Sequence, residues 1–244
     1  MSMKGIYTVA KNRPVARAMY RMDLLGNTKA ITKPGQFVNI KLDGFYLRRP
    51  ISVFDVDGSG FSIIYKIVGD GTAAMGGYAP GKELDILVGL GNGFDISKSG
   101  VSPVLVGGGC GSPPMYYLAK ELLKKGIRPR AVLGFGCADD VICKNELEAL
   151  GVETALTSVD GSCGTKGFVT DALDGMEYDY FFACGPEPML KALAECTDAP
   201  GQLSFESRMG CGFGGCMGCS CKTKYGHKRI CLNGPVLMKE EVIW

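Results

Sequence analysis

The 244-residue chain has a single histidine, His227, and a single tryptophan, Trp244. One histidine excludes a Rieske centre, which takes two imidazole ligands. No obvious pair of carboxylates stands out either, so side-chain acid–base catalysis has little to work with. No uninterrupted apolar stretch is long enough to span a bilayer, and Met1-Ser-Met-Lys-Gly-Ile-Tyr7 lacks the apolar core of a signal peptide. The 27 basic and 25 acidic residues nearly cancel, and no basic block is interleaved with aromatics. That gives no support to a nucleic-acid surface. A regular disulfide framework is also missing. The eleven cysteines are odd in number and unevenly spread, which speaks against a secreted scaffold and for a reducing cytoplasm.

Glycine is abundant, with 36 residues, roughly twice the usual share. It is dense in Met209-Gly-Cys-Gly-Phe-Gly-Gly-Cys-Met-Gly-Cys-Ser-Cys221. Cys211, Cys216 and Cys219 stand at C-x4-C-x2-C, and Cys231 follows twelve positions later. This is the plant-type spacing of a [2Fe–2S] cluster. Such a loop must wrap tightly and aim N–H groups at sulfur, which glycine permits. Four-cysteine zinc sites usually carry two C-x2-C pairs, and only one is present, so the spacing favours iron–sulfur over zinc or a disulfide. Ser220–Lys224 and His227–Leu232 read as strands around a Tyr225-Gly226 turn. That register places Cys231 opposite Ser220, beside Cys219, and leaves Cys221 as the weaker fourth ligand.

The pattern changes along the chain. Residues 1–98 read as an antiparallel β-barrel or sandwich of six strands, with a short helix near Thr72–Tyr78. Arg48-Arg49-Pro50-Ile51-Ser52 enters one strand. A guanidinium fork there suits a pyrophosphate, although two solvated loop arginines would read the same way. Gly69-Asp-Gly-Thr72 leads into the short helix. Residues 99–201 read as alternating strands and helices around a parallel sheet, an α/β domain. Strand Pro103–Val106 runs into Gly107-Gly-Gly-Cys-Gly-Ser-Pro-Pro114 and a helix, a dinucleotide-type turn that departs from G-x-G-x-x-G. A helix capped by Asp139 or Asp140 is expected to reach Leu150, and Asp198–Gln202 reads as a linker. Residues 202–244 form a third, small cysteine module.

These pieces resemble the ferredoxin–NADP reductase superfamily in Pro34-Gly-Gln-Phe-Val38, Arg49-Pro-Ile-Ser52, Gly71-Thr72, Leu90-Gly-Asn-Gly-Phe94, the Gly107–Gly111 turn and Cys184-Gly-Pro-Glu-Pro-Met189. With Glu206–Cys219 added, the whole length resembles the family of electron-transfer subunits of NAD-dependent (type B) dihydroorotate dehydrogenases. The resemblance implies an FAD-binding barrel, an NAD-binding α/β domain and a [2Fe–2S] module. It implies FAD contacts from Arg49, Pro50, Ile51, Ser52, Ile64, Tyr65, Lys66, Gly71 and Thr72. NAD contacts would come from Gly107, Gly108, Gly109, Gly111, Cys184, Gly185 and Pro186, and cluster ligands from Cys211, Cys216, Cys219 and Cys231. Many superfamily members have tyrosine where Ile51 stands, so flavin stacking by that residue is lost.

The implied partner is an FMN-containing catalytic subunit that oxidises dihydroorotate for pyrimidine biosynthesis, two copies of each chain forming a heterotetramer. Electrons would pass from FMN through the cluster and FAD to NAD⁺, with no catalytic side chain supplied here. A ferredoxin- or sulfide-linked reductase subunit is the alternative within the class, and a zinc-tailed binding module the alternative outside it. Asp139 or Asp140, near the end of the second α/β strand, is the expected ribose acceptor or helix cap. Phe213 and Met217 are expected either at the partner interface or in the module's own core. Cys110, Cys137 and Cys221 have no assigned role; inert thiols are the default.

Overall fold

The computed structural model describes residues 2–244; Met1, the first residue of the expected barrel domain, lies outside them. Six strands close an antiparallel barrel: β1 (Met3–Ala16), β2 (Met19–Leu25), β3 (Phe37–Ile40), β4 (Arg49–Val56), β5 (Gly60–Lys66) and β6 (Glu83–Leu90), in the order β1-β2-β5-β4-β3-β6. The period-2 pattern drives this. In β6, Leu84, Ile86, Val88 and Leu90 are buried while their neighbours are not. The β5 strand is buried on both faces: Phe61, Ile63 and Tyr65 fill the barrel, and Ile64 faces the next domain. Helix α1 (Asp70–Gly76) crosses between β5 and β6.

The α/β part follows as β7 (Pro103–Gly108), α2 (Ser112–Lys124), β8 (Arg130–Phe135), α3 (Lys144–Ala149), β9 (Thr154–Ser158), β10 (Thr165–Lys166), α4 (Val169–Leu173), β11 (Tyr180–Gly185), α5 (Glu187–Cys196) and β12 (Gly201–Phe205). Then come the hairpin β13 (Ser220–Thr223) and β14 (Gly226–Arg229), α6 (Ile230–Asn233) and β15 (Val236–Met238). The sheet order is β10-β9-β8-β7-β11-β12-β15, parallel throughout except for β15. The expected three-part architecture is present.

Three local expectations are corrected. The helix meant to start at Asp139 or Asp140 begins at Lys144, because Cys143 sits at φ +67°, which a right-handed helix cannot pass through. Asp139 and Asp140 belong to a 3₁₀ turn instead. The hairpin turns at Lys224-Tyr225, pairing Thr223 with Gly226 and Ser220 with Arg229. Gly226 then takes the positive φ of +101° as the first strand residue after the turn. Lastly, Gln202 is inside β12 rather than in a linker, so β12 spans the expected boundary at 201/202 and β15 returns the C-terminal segment to the same sheet.

Barrel and α/β part share one core. Met19, Phe54, Ile64 and Phe94 pack with Leu105, Met115, Leu118 and Phe182. Phe54 stacks on Tyr116 at 4.5 Å between centroids. Burying each such side chain contributes about 1.5–3 kcal/mol, more than a typical exposed ion pair. The buried Gln202 adds direction: its amide accepts from Asp95 N at 2.8 Å and donates to Asp95 O and Tyr180 Oη, both at 2.9 Å. Gln202→Leu leaves these groups unpaired and is expected to cost about 1–3 kcal/mol in denaturant unfolding; an unchanged unfolding midpoint would show that the junction does not rely on this amide.

Candidate functional site

Strands β7, β8, β9, β11 and β12 all end on one edge, and β4, β5 and α1 of the barrel face it. Two cavities open along this seam. The first, of about 340 Å³, is lined by Arg49, Pro50, Ile51, Ser52, Ile64, Tyr65, Lys66 and Thr72. Thus eight of the nine residues expected around FAD fall on one wall. The ninth, Gly71, lies under Arg49, where a Cβ would come within 2.4 Å of the guanidinium. Arg48 and Arg49 divide their duties. Arg48 is consumed by Asp85 at 2.9 Å and by two backbone carbonyls. Arg49 lies 5.0 Å over the Phe45 ring and has no carboxylate partner among the described residues, which leaves its charge for an anion. Tyr65 contributes backbone only, since its ring is buried in the barrel and its hydroxyl donates to Asn12 at 3.1 Å. The Thr72 hydroxyl is held locally by Gly69 and Val68.

The opposite wall was not anticipated. Ser204, Phe205, Glu206, Ser207, Met209 and Pro235 close the cavity beside Cys110 and Cys184. The available signal was the parallel order itself: if β12 lies next to β11, its carboxyl end must reach the same edge. Glu206 opens onto this cavity, and desolvation by the walls holds its carboxyl above the usual range. Burial raises the Cys184 thiol to about 12 and the Cys110 thiol to about 11.

The second cavity, of about 490 Å³, lies over the ends of β7, β8 and β9. Of the residues expected around NAD, Gly108, Gly109 and Pro186 line it. Gly107 is packed beneath Ser112, Gly111 against the Cys184 carbonyl, and Gly185 behind Met189. Cys184 faces the first cavity instead. Gly134, Gly136, Thr157, Val159 and Phe168 were missed, although they follow from the same strand-end rule. Thr157 is fully buried, and its hydroxyl has no hydrogen-bond partner among the described residues. Asp140 lines the cavity, but its carboxylate is taken by Arg17 at 3.0 Å through both oxygens. Lys66 and Cys110 line both cavities, which therefore abut.

The cysteine segment lies against the barrel beside the first cavity. Asn39 of β3 donates to the Cys211 carbonyl at 3.0 Å, and a Cβ on Gly212 would lie 2.3 Å from that amide nitrogen. Gly212 and Gly214 take φ +76° and +92°, and Met217 +61°. The sulfurs form two pairs. Gly215 N and Cys216 N donate to Cys211 Sγ at 3.1 and 3.4 Å, and Cys211 N to Cys216 Sγ at 3.4 Å. Cys231 N donates to Cys219 Sγ at 3.4 Å. Cys231 reaches Cys219 through the turn into α6, since Ile230 N bonds the Cys219 carbonyl at 3.1 Å. Among the described residues no three His, Cys, Asp or Glu side chains converge as ligands of one ion. Two thiol pairs with backbone donors suit a two-iron group that takes two thiolates per iron. Burial alone would raise Cys211, but the surrounding N–H groups of Phe213, Cys216 and Gly215 bring it down to about 6. Burial and the Cys219 thiol push Cys231 up to about 12. Cys221 stands on β13, in register with Lys228, and packs against the cluster that holds Cys219 and Cys231. Phe213 and Met217 are each 55% exposed.

Residues 206–243 match the family model described as the iron–sulfur cluster binding domain of dihydroorotate dehydrogenase B. The electron transfer subunit of dihydroorotate dehydrogenase B (NAD(+)) from Fusobacterium nucleatum subsp. nucleatum is 42% identical over 251 residues, covering 96% of each chain. The same-named protein of Bacillus pumilus is 42% identical with 98% of each covered. Among solved structures, the NADH-dependent reduced ferredoxin-NADP oxidoreductase superposes with a TM-score of 0.89 at 29% identity, over 98% of this chain and 90% of that one. The Amycolatopsis cytochrome P450 reductase GcoB shares the fold at a TM-score of 0.69 and 21% identity, over 80% and 65% of the two chains. The chain belongs to the family of dihydroorotate dehydrogenase B (NAD(+)) electron transfer subunits.

Proposed function

We propose that this chain passes electrons from an FMN-containing, dihydroorotate-oxidising catalytic subunit to NAD⁺, as one of two copies in a heterotetramer with two catalytic chains. The observation that carries the reading is the shared wall of Lys66 and Cys110, which brings the two cavities into contact, with the paired cysteines alongside. When bound, FAD exchanges hydride with nicotinamide and single electrons with a [2Fe–2S] cluster. Arg49 is assigned to the FAD pyrophosphate, with Gly71 leaving room for its guanidinium, and Ser52 to the flavin edge. Gly108 and Gly109 let the NAD pyrophosphate approach the backbone at the head of α2. Cys211 and Cys216 would hold one iron, and Cys219 and Cys231 the other. Glu206 and Cys184 stand on the wall opposite Ser52. The eleven unpaired thiols suit a reducing cytoplasm, and no helix among the described residues is long and apolar enough to cross a bilayer.

Co-expression with the catalytic partner tests the reading through dihydroorotate-dependent NAD⁺ reduction. The native complex is expected to couple the two reactions. Cys231→Ser is expected to lose the cluster absorbance and the coupled activity, while FAD-dependent dye reduction by NADH persists. Coupled turnover at the native rate without cluster absorbance would overturn the assigned route. The 29% likeness to a ferredoxin-linked oxidoreductase supplies the second reading, in which reduced ferredoxin replaces dihydroorotate as the electron source.

Phe213 and Met217 are assigned to the catalytic-subunit interface, because both project from the cysteine loop into solvent. Phe213→Glu with Met217→Glu is expected to weaken subunit association by about tenfold or more and leave the cluster spectrum intact. Native affinity in that double variant, measured by analytical ultracentrifugation, would remove these residues from the interface.

A further inference from the structure

The turn between β1 and β2 belongs to the barrel, yet it is fastened to the α/β part. Arg17 presents its guanidinium edge-on to Asp140, with Nε to Oδ1 and Nη2 to Oδ2 both at 3.0 Å. Arg17 N also donates to the Asp139 carbonyl at 3.1 Å. The next residue, Ala18, sits at φ +54°, a conformation disfavoured for an L-residue without glycine's freedom. Its carbonyl accepts from Ile67 N at 2.8 Å, and Met19 pairs directly with Lys66. Met19, Lys66 and Asp140 all line the larger cavity, and the Met19 sulfur lies 3.9 Å from Cys110 Sγ. One strained turn thus carries a barrel-side wall of the dinucleotide cavity and is tied to the segment that forms the facing wall.

We infer that Arg17 is a positioning residue: its two-pronged bond to Asp140 clasps the barrel to the α/β part and fixes how closely the flavin and nicotinamide cavities meet. The inference rests on the NAD reading of that cavity and goes beyond it, because neither side chain is assigned to the ligand. Asp139 or Asp140 is the expected ribose acceptor or helix cap from sequence; here both oxygens of Asp140 are already engaged. The Arg17 side chain is 63% exposed and Asp140 only 15%. An ion pair with one exposed partner adds little stability, so its loss is read in geometry rather than in unfolding. The clasp does not touch Gly108, Gly109 or Phe168, which line the same cavity on the α/β part, so dinucleotide affinity is expected to change little.

The test uses the cofactor-loaded native chain in anaerobic stopped flow with NADH. Arg17→Ala and Asp140→Asn are each expected to slow the limiting rate of flavin reduction by about tenfold, while the NADH dissociation constant stays within about twofold. Arg17→Lys is expected to fall between, and Arg17→Asp combined with Asp140→Arg to recover most of the rate. Hydrogen exchange, read separately from activity, is expected to rise at residues 16–19 and 136–141 in Arg17→Ala. Two results overturn the clasp: unchanged rate and exchange in Arg17→Ala, or a raised dissociation constant in Asp140→Asn alone, which would make Asp140 a direct ligand. No flavin reduction by NADH in the native chain would instead overturn the NAD reading, whereas the exchange data would still judge the clasp.

Discussion

A Cβ at Gly111 would lie 2.0 Å from the carbonyl oxygen of Cys184, a distance no packed pair of atoms tolerates. Only glycine lets the head of α2 dock so closely against β11. Much of the seam follows from that contact. It fixes α2, whose Tyr116 stacks on Phe54 of the barrel, and it holds Cys110 where the two cavities meet. A side chain at Gly107 would strike Ser112 Cα at 2.8 Å, so the same turn is pinned from its other side. The glycines that sequence reading assigned to ligand contact therefore divide. Gly108 and Gly109 face the cavity, while Gly107 and Gly111 allow the backbone to reach that position.

The cysteine segment is bracketed rather than appended. It leaves the sheet at the end of β12 and returns through β15, antiparallel to β12. Between those points the barrel holds it at two asparagines. Asn39 bonds Cys211 O, and Asn92 bonds Asn233 O and both backbone groups of Val236. Met209 lines the cavity bounded by Arg49 and Ser52, two residues before Cys211. A segment held at both ends and along its length keeps its sulfurs at fixed positions relative to that cavity. Such rigidity is what the protein can contribute when bound groups supply the chemistry.

Elements whose signal is local were legible in the sequence. The six barrel strands, the parallel sheet and the turn after β7 all carry their own periodicity or glycine pattern. Arg49-Pro50-Ile51-Ser52 identified one wall of a cavity because all four residues share one strand. The far wall, Ser204 to Met209, was not legible, since its place depends on β12 joining β11 across the sheet. The hairpin register failed by a small shift because Lys224-Tyr225 and Tyr225-Gly226 are both plausible turns, and Thr223 Oγ1, bonded to Gly226 O and Tyr225 N, favours the former. Asp140 misled for a similar reason. Its partner Arg17 lies 123 residues away in another domain, where no local pattern can reveal it.

The cysteines show how one residue type is sorted by its surroundings. Cys110 and Cys184 sit among apolar walls, and burial raises their thiols to about 11 and 12. At neutral pH both stay protonated and neutral, so they fill space beside the cavities without acting as nucleophiles. Cys211 is also desolvated, yet N–H donors lower it to about 6, so it is largely thiolate at neutral pH. The difference lies in the backbone. The positive φ angles of Gly212 and Gly214 turn the loop so that its amides face sulfur, whereas the regular strand at Cys184 spends its amides on β7 and β12. Glycine placement therefore decides both how closely the domains can dock and which sulfur the loop amides face.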